Sequence, residues 1–355
     1  MSPSARPLPP PAAGEVVLQV NLAPVDFPHA RHILPHQIRC WREQVDRILL
    51  TVDTRPGSGR YAEGWARHER DFGALLAAVT AGDPKVGVVE VDYSPQASAA
   101  LSAAFLGGAD VPVKDSYGAP FHAYLFGLLA AGAQYVLHAD ADMLYGGGSP
   151  TWMREALEVL RTREDVLAAG PYPGPPLHDG RIPAAVAARH AAAQRYGSAP
   201  TALALGFPAA QFSHLSTRSF LIDLHRFRAT VGALRVEATS PPRFSTVSPG
   251  PAPLETALSR ALTEHHLTRV DLLGSGPGMW VLHPPFRTEA FLRDLPAIIA
   301  RVEAGDVPDG QRGDFDLNDA MVDWSAARRR LRRTRRRERA SRLLRAVLAR
   351  GRGSP

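Results

Sequence analysis

Two carboxylates one residue apart, Asp140 and Asp142, close the apolar run Tyr135-Val-Leu-His-Ala-Asp140-Ala-Asp142-Met143. Such a pair can hold a hard divalent cation, and the cation can in turn neutralise a diphosphate. Spacing alone does not single the pair out. With 21 aspartates in 355 residues a D-x-D arises by chance, and a second one, Asp314-Phe-Asp316, stands in a polar C-terminal stretch. Context separates the two. Asp140 and Asp142 follow a buried-strand pattern, and open α/β sheets bind ligands outside the carboxyl ends of their strands. Asp314 and Asp316 read as incidental, solvated acids. Beyond the first pair, Gly146-Gly-Gly148 lets the backbone turn without a Cβ penalty.

Three further segments carry residues able to do chemistry. In Gly278-Met-Trp280-Val-Leu-His283-Pro-Pro, His283 ends a short apolar run beside two prolines, and a neutral imidazole suits manganese as a third ligand. His138 is the other histidine near the acids. In Pro253-Leu-Glu255-Thr-Ala-Leu-Ser-Arg260, Glu255 stands in a first helical turn, where the helix dipole favours it; it can equally serve as a general base. In Val113-Lys114-Asp115-Ser-Tyr-Gly118-Ala-Pro-Phe121, Lys114 or Asp115 can face a charged ligand, or Asp115 or Ser116 can cap the following helix. Trp280, Tyr172 and Phe212 offer ring faces on which a ligand can stack, although core or loop packing explains them as well.

The elements that position these residues follow from periodicity. Glu15–Val20, Arg47–Val52, Lys85–Val91 and Gln134–Leu137 read as strands. They are separated by helices over His29–Asp46 (begun or kinked by Pro35), Ala62–Ala81 and Pro120–Ala131. Short apolar strands between helices indicate βαβ units and a parallel sheet. Later come a helix over Trp152–Arg163, a strand over Val166–Ala169, an Ala-rich helix over Ala184–Arg195 and a strand over Ser216–Asp223. A Pro/Ser-rich loop over Pro241–Pro253, a helix over Leu254–His265 and strands over Arg269–Leu273 and Met279–Leu282 complete the body.

At this point a resemblance applies. Tyr135–Met143 resembles the metal-binding D-x-D of glycosyltransferases with the GT-A fold, especially the family 2-like group, and a looser similarity runs from Glu15 to about Arg287. The resemblance implies an α/β, Rossmann-like nucleotide-diphospho-sugar transferase fold, its mostly parallel central sheet flanked by helices. It implies an enzyme that moves a sugar from a nucleotide-diphospho-sugar donor to an acceptor hydroxyl, with inversion and with Mn²⁺ or Mg²⁺ as cofactor. Asp140, Asp142 and a late histidine, His283, would form the metal site. Asn21, Asp53 and Asp92, at the ends of the first three strands, match places where the family contacts the nucleoside, although each also reads as a strand-end or turn residue. Lys114 and Asp115 would face the diphosphate and sugar, and Glu255 would be the base, with Glu-Thr here in place of the family's Glu-Asp.

Composition bounds the alternatives. Only Lys85 and Lys114 are lysines and neither follows a glycine, so a Walker A motif is excluded; H-E-x-x-H, G-x-S-x-G and G-x-G-x-x-G are also missing. Cys40 is the single cysteine, so neither a disulfide framework nor a C-x-x-C site is available. A sugar-phosphate nucleotidyltransferase would want a glycine-rich basic loop after the first strand, where Asn21-Leu-Ala-Pro24 stands instead. A D-x-D-x-[TV] phosphatase would want Thr or Val in place of Leu144. A GT-A-like body that has lost activity and serves as a membrane or polyanion adaptor is the non-enzymatic reading.

The net charge of +6 is uneven. Residues 328–352 hold thirteen arginines and one acid, Glu338, which leaves 28 basic and 34 acidic residues elsewhere. The body is thus acidic, and no sequence-specific nucleic-acid binding is expected. The tail from Ala326 to Gly353, with Leu343, Leu344, Val347 and Leu348 among its arginines, is helix-compatible and suited to an anionic membrane surface, or else simply solvated. The expected organisation is a disordered leader (1–14), a donor half (15–150), an acceptor half (151–303), and a linker with an Arg-rich helical tail (304–355). The expected location is cytoplasmic, at the inner face of the membrane where the tail docks.

Overall fold

In β1 (Val16–Leu22) successive side chains point to opposite faces of a sheet, and all but Asn21 are buried. Nearly every residue of β2 (Arg47–Val52) and β4 (Tyr135–Asp140) is buried too, as expected of parallel strands covered on both faces. The computed structural model describes residues 14–57, 64–179, 201–239 and 250–334, with 336 and 340. In the first half these strands and β3 (Val86–Glu90) alternate with α1 (Phe27–Trp41), α2 (Trp65–Ala81), α3 (Pro95–Leu101) and α4 (His122–Ala131). The second half adds β5 (Leu144–Gly146), α5 (Trp152–Thr162), β6 (Val166–Pro173), β7 (Thr201–Ala202), β8 (Ala209–Phe212) and β9 (Ser219–Asp223). After these come β10 (Ala238–Thr239), β11 (Gly250–Pro251), α6 (Leu254–Glu264), β12 (Thr268–Leu272), β13 (Trp280–Leu282) and α7 (Glu289–Glu303).

The main sheet runs β3-β2-β1-β4-β9-β6-β12-β8-β7. β1 to β4 are mutually parallel, β6 and β12 are parallel, and β9 and β8 run against their neighbours. The periodicity indicates the parallel first four strands; the whole sheet is mixed and mostly parallel, the α/β arrangement that the resemblance implies. Both halves of the chain contribute to it. On one face Leu18, Val20 and Leu50 pack against Leu34 and Trp41 of α1 and against Trp152 and Leu160 of α5. On the other, Val17, Leu49 and Val136 pack against Leu125 and Leu128 of α4 and Leu258 and Leu262 of α6. Each such buried aliphatic side chain contributes about 1.5–3 kcal/mol.

α1 departs from expectation at both ends: it starts at Phe27, carries Pro35 in its interior and stops at Trp41 rather than Asp46. Pro35 removes one helical hydrogen bond, yet burial of Ile33, Leu34, Ile38 and Trp41 holds the helix together. The stretch expected as a linker is also different. From Val307 to Trp324 the chain folds back on the body, and Leu317 and Trp324 join Phe291 and Leu295 of α7 and Leu282 of β13 in a third cluster. The segment's Pro, Gly and Asp residues supply turns, while the two large apolar side chains supply the anchor. A helix follows over 325–334. The leader to residue 13, the helix expected over Ala184–Arg195, the loop residues 241–249 and the tail from 341, with Leu343 to Leu348, lie outside the described residues.

Candidate active site

The register of the sheet assembles the site. Thr51 of β2 pairs with Asn21 of β1, and Asn21 pairs in turn with Asp140 of β4. On the far side of β4, the Asp140 amide donates to the Arg218 carbonyl at 2.8 Å, just ahead of β9. One row of polar residues therefore crosses four neighbouring strands at the carboxyl ends of β1, β2 and β4. It opens into a cavity of ≈ 390 Å³, within the range of small-ligand sites. Asn21, Asp53, Lys114, Asp115, Asp140, Asp142, Glu255 and His283 all line it.

Local pairing explains how distant residues converge. β13 runs antiparallel to β5, with Leu282 opposite Leu144, so the next residue, His283, falls beside the D-x-D turn. Gly146 is needed there because a Cβ would collide with the Trp280 ring at 2.1 Å, and Gly147 has φ +84°. Trp280 is thus a core residue, as are Tyr172 and Phe212. From α1, the Gln37 amide donates to the carbonyls of both Asp140 (2.9 Å) and Met143 (3.0 Å), clamping the turn at each end.

Around Asp140, Gln19 donates to Asn21 Oδ1 (2.8 Å), which leaves Gln19 Oε1 to accept from Nδ1 of the fully buried His138 (2.6 Å). His138 Nε2 lies 3.4 Å from Asp140 Oδ1, and the Tyr124 hydroxyl donates to the same oxygen. Burial opposes ionisation of Asp140, but the His138 and Tyr124 hydrogen bonds and the charge of Arg218 outweigh it and hold the carboxyl below its ordinary range.

Asp142 is 2% exposed, and its Oδ1 has no hydrogen-bond partner. Its Oδ2 receives the Arg287 guanidinium and stands 3.6 Å from His283 Nε2. Asp316 Oδ1 lies 2.7 Å from His283 Nδ1 and can only accept, so the ring proton is on Nδ1. Burial lowers the His283 pKa, against the Asp316 bond and with the charge of Arg218, so the ring is neutral and Nε2 presents a lone pair. A lone pair facing a carboxylate oxygen calls for a cation between or beside them. Arg287 provides one now, and a divalent ion fits the same donors: Asp142 Oδ1, His283 Nε2 and, in type, Asp140. Among the described residues no three acidic, histidine or cysteine side chains are already gathered for a metal, so coordination would be completed by the ligand.

The remaining predicted residues fall out unevenly. The Asp53 carboxylate is engaged by Lys114 Nζ (2.5 Å) and the Tyr93 hydroxyl (2.6 Å), so the Lys114 charge is directed at Asp53. Asp115 accepts from the amides of Tyr117 (2.8 Å) and Ala119 (2.9 Å), closing its own turn rather than capping α4. Glu255, in the first turn of α6, accepts from the Thr217 amide at 3.1 Å. Asp92 is the exception: it does not line the cavity, and its carboxylate accepts from Ser94 N (2.7 Å) at the start of α3. It is a turn residue because β3 already meets the row at Val89, opposite Thr51, and Asp92 comes three residues later, past the strand end.

Sequence reasoning missed Asp316, Gln37, Arg218, Arg287, Asp26 and His29. Asp26 and His29 line the cavity from the start of α1. Burial pushes Asp26 up to about 6, against the Arg287 charge and the Ala23 amide. His29 Nε2, Asn21 Nδ2 and Thr51 Oγ1 join Asp142 Oδ1 as buried atoms without a hydrogen-bond partner on the cavity lining. Native proteins rarely leave such groups unpaired, so their concentration here points to a polar ligand.

No family model and no curated protein matches the chain. Among solved structures it is similar to glucosyl-3-phosphoglycerate synthase from Mycobacterium tuberculosis in complex with Mn²⁺, uridine diphosphate and glucosyl-3-phosphoglycerate. That match has 14% identity, covers 83% of this chain and 82% of that one, and has a TM-score of 0.35. A mycobacterial protein matches at 15% identity over 84% and 77% of the two chains, also with a TM-score of 0.35. The galactosyltransferase LgtC, in complex with donor and acceptor sugar analogs, matches at 13% identity over 60% and 59%, with a TM-score of 0.30. Likeness at this level does not reach the chemistry of the site, which stands on the residues above.

Proposed function

We propose that the chain is a metal-dependent glycosyltransferase that moves a sugar from a nucleotide-diphospho-sugar to an acceptor hydroxyl. One observation carries this reading: the partnerless buried oxygen of Asp142 stands beside the lone pair of His283, at the end of a row of ligand-seeking groups on the carboxyl edge of the sheet. Asn21 and Thr51, with their orphaned Nδ2 and Oγ1, offer the nucleoside a donor and a hydroxyl. Asp142 and His283, with Asp140 close by, would hold Mn²⁺ or Mg²⁺. When bound, the ion neutralises the diphosphate and stabilises it as a leaving group. Glu255, held by the Thr217 amide, accepts the proton of the attacking hydroxyl in a direct, inverting displacement. A nucleotidyltransferase is disfavoured because the turn after β1 puts Asp26 where that chemistry needs a cation.

Calorimetry with UDP and GDP, with and without Mn²⁺, tests the reading. Metal-dependent binding that Asp142→Ala abolishes is expected; nucleotide binding indifferent to metal and to that substitution overturns it.

We also infer that the C-terminal helix meets an anionic membrane surface. Arg329, Arg330, Arg332 and Arg333 are all exposed on 325–334, and each basic residue adds about 1 kcal/mol near such a surface. No helix among the described residues is long and apolar enough to cross a membrane. Flotation with phosphatidylserine vesicles at physiological salt should fall when residues from 328 onward are removed; equal flotation refutes docking.

A further inference from the structure

Three cations line the cavity, and two are already spoken for: Lys114 by Asp53 and Arg287 by Asp142. The third is Arg218. Among the described residues its guanidinium makes no hydrogen bond or ion pair. Arginine cannot shed its charge, and its planar fork is matched by a carboxylate or a phosphate. A half-buried guanidinium left without such a partner at the wall of a cavity is therefore a receptor for an anion.

Its place in the row says which anion. Asn21 and Thr51 mark one end and Asp140 follows; Arg218 stands one strand further, about 4.8 Å beyond Asp140. Its charge is felt at both Asp140 and His283. It is also the residue after Thr217, whose amide holds Glu255 at 3.1 Å. Arg218 is thus on the side of the metal site away from the nucleoside end and next to the base. A molecule that presents its hydroxyl to Glu255 brings its neighbouring substituents to Arg218.

We propose that Arg218 binds a carboxylate or phosphate carried by the acceptor, so that the second substrate is a small acid or phosphate ester rather than a neutral sugar. This rests on the glycosyltransferase reading. In the transfer itself the acceptor oxygen bonds to the anomeric carbon as that carbon's bond to the diphosphate oxygen breaks, and the hydroxyl proton passes to Glu255. Arg218 takes no proton and only positions the acceptor.

The test titrates inorganic phosphate and, separately, acetate into protein saturated with UDP and Mg²⁺ at constant ionic strength, using the wild type, Arg218→Gln and Arg218→Lys. The expected result is saturable binding of at least one anion that weakens tenfold or more in Arg218→Gln and is partly restored in Arg218→Lys. UDP·Mg²⁺ affinity should change less than twofold. The preferred anion tells phosphate from carboxylate. Equal anion binding by wild type and Arg218→Gln, or none by the wild type, overturns the proposal. So does a matching loss of UDP·Mg²⁺ affinity, which would make Arg218 a donor residue. A selective loss of affinity for UDP-glucuronate over UDP-glucose overturns it too, by placing the acid on the donor sugar. If the wild type binds no UDP·Mg²⁺ but does bind anion through Arg218, the glycosyltransferase reading fails while the anion site stands.

Discussion

Asp316→Ala should weaken metal binding without unfolding the protein. Asp316 accepts the Nδ1 proton of His283 at 2.7 Å, and this bond fixes the tautomer that turns a lone pair toward Asp142. Without the carboxylate the ring can place its proton on Nε2, where it would hydrogen-bond Asp142 and block a cation. Loss of an outer partner of this kind lowers metal affinity about 10–100-fold, which is about 1.4–2.7 kcal/mol. The carboxylate is 60% exposed but pairs a buried ring N–H, so its removal should cost the fold about 1–3 kcal/mol, short of unfolding it. Mn²⁺ titration followed by electron paramagnetic resonance, with UDP present, reads the affinity; urea unfolding without metal reads the fold. Asp316→Asn retains an acceptor oxygen and should recover most of the loss. Wild-type Mn²⁺ affinity in Asp316→Ala would show that His283 is not oriented through this bond and would remove the case for it as a ligand.

Gln37→Leu takes the side-chain donor from the buried Met143 carbonyl and leaves the Asp140 carbonyl only the Met143 amide at 3.3 Å. At about 1–3 kcal/mol per unsatisfied group, the urea midpoint should fall together with Mn²⁺ affinity, whereas a fall in neither would mean the clamp is idle. Trp324→Ala empties a fully buried site between α7 and the returning segment and should cost about 3–5 kcal/mol in urea unfolding. If 304–324 were a mere linker, the variant would unfold like the wild type. Asp26 ionises at about 6 in the fold against 3.8 in the unfolded chain, so the native state binds the extra proton between these values. Its contribution is therefore present below pH 4 and is lost as pH rises through 6, by at most about 3 kcal/mol. Asp26→Asn should be more stable than the wild type at pH 8 and flatten that part of the stability profile; parallel profiles refute the assignment.

What was legible in the sequence follows the range of the forces involved. β2 was readable to the residue, Arg47–Val52, because a doubly covered parallel strand is an unbroken apolar run. Asp140 and Asp142 were readable because a strand end next to a glycine run is local information. His283 was visible only as a strand-end histidine, since its approach to Asp142 depends on β13 pairing with β5 across 140 residues. Asp316 was read as a solvated acid because its spacing carries no context; only the anchoring of Leu317 and Trp324 turns it back toward His283. Arg218 and Thr51 were invisible for the same reason, being brought to the row by register rather than by motif. Asp92 shows the reverse error: it follows a strand end as expected, but β3 lies at the sheet edge, three strands from Asp140, and its acid turns to Ser94.

Charge balance ties these residues together. The cavity lining carries the carboxylates of Asp26, Asp53, Asp115, Asp140, Asp142 and Glu255 against the cations of Lys114, Arg218 and Arg287. A diphosphate entering such a cavity alone meets repulsion, because two of the three cations are bound to acids already. Entry with a divalent ion would reverse the sign at Asp142 Oδ1, a buried carboxylate oxygen without a hydrogen-bond partner. It would also free Arg287 from Asp142 for the phosphates, with the ion as the new counter-charge. On the proposed reading the acidic surplus would make nucleotide binding conditional on metal, and the same surplus would keep an anionic second substrate away from every part of the cavity except the neighbourhood of Arg218.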